Sequence, residues 1–155
     1  MNIFYKKEKL FLSYLVFHFL SMLLGAPEFA RNGMVVSANR LASETGVEIL
    51  IKGGNAFDAA VATGFALAVT YPQAGNIGGG GFIVARMADG KIFTLDHREM
   101  APAGARRDMY LDTNGNVIDD MSLRTRAASG VPGTVAGLLK AWKDYGSGNI
   151  SRREL

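Results

Sequence analysis

The stretch AFDAAVATGFALAVT, Ala56–Thr70, constrains the fold more than any other part of this sequence. Its residues are apolar nearly all round a helix, so a helix formed here must be covered by other elements and cannot lie on a surface. Ala59, Ala60, Ala62, Gly64, Ala66 and Ala68 keep it thin and let neighbours approach closely. Asn55 can cap its start, and Asp58 at the third helical position favours its positive end. Pro72 stops it. With 155 residues, 48% of them hydrophobic, the chain has enough apolar material to build an interior around such a helix.

The flanking segments supply candidates for that interior. VVSA, Val35–Ala38, reads as a short buried strand. A helix follows, with apolar positions Leu41, Ala42, Val47, Ile49 and Leu50, ending at Lys52. Gly53-Gly54 then provides a C-cap, because glycine enters the left-handed region without a Cβ penalty. Beyond the apolar helix, GFIVARM reads as a strand, Ala88-Asp89-Gly90-Lys91 as a hairpin turn suited to positive φ, and KIFTLDHR as the returning strand. APAGARRDMYLD is irregular or weakly helical, and Thr113-Asn114-Gly115-Asn116 is a turn. A last helix over 133–145 would place Pro132 at its first position, Ser129 or Val131 near its cap, and Val135, Leu138, Leu139 and Trp142 on its apolar face. Gly146-Ser147-Gly148 ends it. Antiparallel strands packed against helices make an α+β fold.

Between helix and strand stands YPQAGNIGGGGF, with four consecutive glycines. A phosphate cradle needs the opposite order, strand to glycines to helix, and neither the Walker spacing nor Gly-x-Gly-x-x-Gly occurs. Two readings stay open. The loop is a crowded bend whose backbone packs directly on its neighbour, or it is a backbone surface lining a site.

The N-terminus is of another kind. Lys6, Lys7 and Lys9 precede LFLSYLVFHFLSMLL, Leu10–Leu24, a run of 15 residues without formal charge. At about 1.5 Å per residue it falls short of the hydrocarbon core, which favours a secretory signal over a spanning helix. Residues 1–26 are therefore expected to be a signal peptide or an uncleaved membrane anchor, 27–32 a junction, and 33–155 an exported, periplasmic or extracellular domain. The net charge of +3 owes +2 to that leader; the remainder holds 14 basic against 13 acidic residues. No basic stripe with interleaved aromatics follows residue 30, so nucleic acid is not an expected partner. The absence of cysteine excludes disulfides and thiolate metal sites.

Several unusual strings occur in one order: GGNAFDAAVA, YPQAGNIGGGGF, DHREMAP and SGVPGTVAG. Together they resemble the start of the gamma-glutamyltranspeptidase family, over residues 33 to about 146. The resemblance implies an N-terminal nucleophile hydrolase fold, a four-layer αββα sandwich, incomplete in this chain. It implies a self-cleaving precursor whose small subunit begins with a nucleophilic threonine. That enzyme takes the gamma-glutamyl group of glutathione and passes it to water or an amino acid. None of Thr45, Thr63, Thr70, Thr94, Thr113, Thr125 and Thr134 lies in a Thr-Thr-His-like processing string, so no catalytic residue is expected within these 155 residues. The partners implied are glutathione and other gamma-glutamyl compounds, the rest of the large subunit, and the small subunit; residues 10–24 would serve as any membrane tether. The glycine loop is expected in the buried core. No cofactor or metal is expected. Two alternatives stand beside this reading: a related acylase with another amide substrate, and a truncated, tethered product without activity.

One site residue carries over. In DHREMAP, Arg98 matches the family arginine that grips the α-carboxylate of the gamma-glutamyl group. A planar guanidinium offers two parallel donors to a carboxylate, which a lysine cannot. The plainer role for Arg98 is an ion pair with Asp96 or Glu99. Asp96 and Glu99 themselves project to different sides and are not expected to act as an acid/base pair. His97 lacks a second metal ligand near it in sequence. Ser129 is expected in a turn or cap, Asn76 as a side-chain brace of the glycine loop, and Trp142 and Tyr145 in packing.

Overall fold

In a computed structural model, residues 11–19 and 28–155 are described. The chain divides into two compact units, Met1–Gly33 and Met34–Leu155. In the first, residues 11–19 form a helix, α1, on which the rings of Tyr14 and His18 lie 4.5 Å apart, tilted at 54°. No helix among the described residues is long and apolar enough to cross a membrane. The expected leader and tether lie partly outside the described residues.

The second unit is built around the apolar helix. Helix α2 spans Arg40–Ile51 and α3 spans Ala56–Thr70. Asn39 caps α2 by accepting from the Leu41 N–H, and Gly53 follows the helix at φ 89°, as its C-cap role requires. Asn55 accepts from Phe57 and Asp58 N–H groups while the Asp58 carboxylate accepts from the Asn55 N–H, a complete capping box. The two helices touch where side chains are smallest. A Cβ on Gly46 would meet Thr63 Oγ1, and would stand 3.2 Å from the Ala59 carbonyl oxygen.

Strand β1, Phe82–Arg86, pairs antiparallel with β2, Ile92–Asp96, placing Ile83 opposite Leu95 and Ala85 opposite Phe93. The turn is a three-residue one: Gly90 N–H donates to Met87 C=O at 2.9 Å, and only Gly90, at φ 85°, has positive φ. Asp89 does not; its carboxylate instead accepts from the Lys91 N–H. A short helix α4, Met121–Arg124, and a 3₁₀ turn, Arg126–Ala128, lie in the long irregular connection to α5, Thr134–Tyr145.

Helix α3 separates two core clusters. Its Ala59 and Ala62 pack with Ile49 of α2 and with Ile150. Its Val61 packs with Leu138 and Ala141 of α5, and Phe57, Phe65, Ile83 and Leu95 close in around them. Alternation does the rest: Ile83, Ala85, Phe93 and Leu95 turn inward, and Phe82, Val84 and Ile92 stand exposed on the outer face. Tyr145 stacks on Phe57 at 5.1 Å and leans on Phe93 at 4.2 Å, and Trp142 Nε1 donates to the Ile150 carbonyl. Both residues pack as expected.

Four expectations need correction. Val35–Ala38 is not a strand: Val36 is exposed, and the Ser37 hydroxyl donates to the Asn39 carbonyl. Helix α3 is not covered along its whole length. Its fully buried residues end at Thr63; Gly64–Ala68 are half-buried and Val69 is 80% exposed, although α2 begins beside the end of the helix, where Asn39 Nδ2 donates to the Thr70 carbonyl at 3.3 Å. On α2, Leu41 and Val47 are exposed, since the buried stripe runs through Ala42, Gly46 and Ile49. Helix α5 begins at Thr134, so Pro132 lies two residues before it, and its buried stripe is Thr134, Gly137, Leu138 and Ala141, leaving Val135 exposed.

Candidate functional site

The end of β2 runs into the turn Asp96–Glu99, and this turn is the meeting point of the glycines. The hairpin ladder continues one step past the strands: Gly81 N–H donates to His97 C=O at 3.3 Å, and His97 N–H to Gly81 C=O at 3.0 Å. Gly80 lies flat on the turn. A Cβ there would stand 2.6 Å from the His97 carbonyl oxygen and 2.7 Å from Arg98 Cα, which no side chain permits. The crowded-bend reading of the glycine loop is therefore the one realised. The loop packs on this turn, and within this chain Gly78 and Gly80 are exposed.

The loop also begins the last helix. Helix α5 has no side-chain cap; Gly79 C=O accepts from the Gly133 N–H at 2.8 Å and from the Thr134 N–H at 3.1 Å. The Thr134 hydroxyl donates to the Asn76 carbonyl at 3.3 Å. It is thus the backbone of Asn76, not its side-chain amide, that ties the loop to α5. Met100 and Val131 exchange backbone hydrogen bonds at 3.0 and 2.8 Å, closing the other end of the turn. Ser129 ends the 3₁₀ turn, its N–H donating to Arg126 C=O.

Between this turn and α5 lies a cleft of about 540 Å³. Arg98, Glu99, Val131, Gly133 and Lys140 are among its lining residues. The Asp96 carboxylate accepts from the Arg98 N–H at 3.0 Å, which shapes the turn and leaves Asp96 a local role. Arg98 is the side chain left over. It is 64% exposed, its Nε is 3.9 Å from Glu99 Oε2, and its guanidinium lies 5.9 Å from the centre of the Phe82 ring. Among the described residues no acceptor reaches hydrogen-bond distance of its terminal nitrogens. An ion pair of that length between exposed groups contributes little, so the fork stays available to a carboxylate. Lys140, the second cation here, is engaged: Asp144 accepts from it at 2.6 Å, and this bond raises the ammonium above its ordinary value. His97 also lines the cleft, with its ring against Gly81 and Gly137 and its Nδ1 buried.

Sequence reasoning singled out Arg98 but missed what holds it. Gly133 and Gly137 belong to the string SGVPGTVAG, and their spacing, one helical turn, was the available signal.

The gamma-glutamyltranspeptidase family model matches residues 42–153. The chain belongs to the gamma-glutamyltranspeptidase family. It is 57% identical over 122 residues to the glutathione hydrolase proenzyme of Pseudomonas sp. (strain A14), a match covering 79% of this chain and 21% of that protein. To the glutathione hydrolase proenzyme of Escherichia coli (strain K12) it is 55% identical over 121 residues, covering 78% and 21%. The crystal structure of Helicobacter pylori gamma-glutamyltranspeptidase superposes with a TM-score of 0.74 at 51% identity, covering 79% of this chain and 35% of that one. The Bacillus anthracis transpeptidase CapD gives 0.57 at 30%, covering 76% and 34%. The chain thus spans about a fifth of the length of the curated relatives it matches.

Proposed function

We propose that this chain is the front part of the large subunit of an exported gamma-glutamyltransferase and glutathione hydrolase. Arg98 carries the reading: a guanidinium with free terminal nitrogens, at the rim of a cleft, inside the family string DHREMAP. It grips the α-carboxylate of a gamma-glutamyl group through two parallel N–H donors. The nucleophile is a threonine hydroxyl at the start of a separate small subunit. It attacks the γ-amide carbonyl, the amine of cysteinylglycine leaves, and water or an amino acid cleaves the resulting ester. The complete protein is an N-terminal nucleophile hydrolase with the αββα layering, and the bare outer face of the hairpin is where a further layer packs. Residues 1–26 direct export or anchor the protein, which fractionation of cells carrying a fusion to residues 1–32 tests.

The complete precursor, incubated with glutathione, is expected to release glutamate and cysteinylglycine, and to form gamma-glutamyl products when an amino acid is added. Full maturation without either product would overturn the reading in favour of an acylase with another substrate.

A further inference from the structure

We infer that His97 and Gly137 act as a matched pair of positioning residues that set where Arg98 stands, so that residue 137 governs substrate affinity without touching substrate. This rests on the reading of Arg98 given above. The turn Asp96–Glu99 is gripped from two sides. On one side are Gly80 and the Gly81–His97 hydrogen bonds. On the other is α5, where Gly133 approaches the Arg98 carbonyl oxygen so closely that a Cβ would stand 2.7 Å from it.

One helical turn further along, Gly137 receives the imidazole. A Cβ at 137 would coincide with His97 Cβ and Cγ and stand 2.7 Å from Nδ1. The ring stays there although its Nδ1 is buried without a hydrogen-bond partner, so shape and not a hydrogen bond holds it. The Gly79 carbonyl ties the start of α5 down through Gly133 and Thr134, so its retreat would break two hydrogen bonds. Added bulk at 137 must therefore displace the turn, and Arg98 is the next residue along it. The nucleophile of the proposed reading belongs to another subunit and not to this turn. Such a displacement should weaken carboxylate binding and spare the chemical step.

The test uses the complete precursor and four variants: Gly137→Ala, His97→Ala, the two combined, and Arg98→Lys. Gly137→Ala is expected to raise KM for glutathione roughly tenfold or more with kcat within about twofold. His97→Ala vacates the space that the new methyl needs, so the double variant should return to within about threefold of the KM of His97→Ala alone. A raised KM in Arg98→Lys with an unchanged KM in Gly137→Ala overturns the positioning role and leaves the substrate reading standing. An unchanged KM in Arg98→Lys overturns the substrate reading itself. If Gly137→Ala alone fails to mature, the double variant decides: recovered maturation and glutathione KM support the pair, and a double variant no better than the single overturns it.

Discussion

The carbonyl oxygen of Gly79 accepts the N–H of Thr134 at 3.1 Å, so a loop that follows one helix caps the start of another. The same loop lays Gly80 on the backbone of His97 and Arg98. A helix end needs its first N–H groups satisfied, and here a carbonyl from far along the chain does it in place of a side chain. The capping and the close approach are two results of one glycine run.

Gly80→Ala should therefore destabilise the complete protein by about 1–3 kcal/mol, the usual effect of forcing a methyl into filled space. The contacts are backbone atoms, which cannot rotate away. Thermal denaturation checks this. Gly104→Ala, where a Cβ meets nothing within 4 Å, serves as the control and should leave the melting temperature nearly unchanged.

Asp58 ties the two ends of the central packing together. It is 0% exposed, and its Oδ2 accepts from the N–H of Asn55 at 2.8 Å and of Ser147 at 3.0 Å. Asn55 adds a bond from Nδ2 to the Tyr145 carbonyl at 2.7 Å. Asp58→Ala leaves two donors without an acceptor, which costs about 1–3 kcal/mol for each that stays buried. The expected result is a lowered melting temperature with KM unchanged in whatever protein still folds. A melting temperature equal to the wild type would contradict it.

Most of the local structure was legible in the sequence because its causes are local. Asn55 and Asp58 at capping-box spacing, Gly53 past a helix end and Gly90 in the hairpin each report their own backbone. What was not legible depends on contacts distant in sequence. The start of α5 is set by the Gly79 carbonyl and not by Pro132. The buried stripe of α2 passes through Gly46 and leaves Leu41 out, because close approach to Ala59 matters more there than hydrophobicity. Arg98 was found through its motif; the one-turn spacing of Gly133 and Gly137 marks a bare helix face, but that this face presses on the turn beside Arg98 depends on where α5 packs.

The turn Asp112–Asn116 should respond to acid. The Asp112 carboxylate accepts from the Asn116 N–H at 2.9 Å, from its side-chain amide at 3.2 Å and from the Asn114 N–H at 2.8 Å, and these bonds hold it below the usual carboxylate range, the Asn116 backbone bond most of all. A carboxyl depressed in the folded state stabilises the fold above its unfolded value and loses that contribution as pH falls through the folded one. The amide resonances of Asn114 and Asn116 should therefore shift together on acidification, with a midpoint below that of an ordinary aspartate. Asp112→Asn should abolish that step. Independent midpoints for the two amides would contradict the shared carboxylate.

Residues 27–155 expressed alone should aggregate. The outer face of the hairpin exposes Phe82, Val84 and Ile92, and among the described residues each of its two strands pairs only with the other. Uncovered apolar strands with open edges recruit further strands. Size-exclusion chromatography is expected to give large species or insoluble material; a monomer with a sharp cooperative melt would contradict this.

In the function proposed above, a glycine-shaped turn presents the fork of Arg98 to the carboxylate of a gamma-glutamyl group. The steady-state kinetics of Arg98→Lys in the complete precursor test it most directly. Loss of one charge-assisted hydrogen bond, about 1.5–3 kcal/mol, predicts a KM for glutathione raised roughly 10- to 150-fold. The kcat should change far less. An Arg98→Lys enzyme with the wild-type KM would contradict the account.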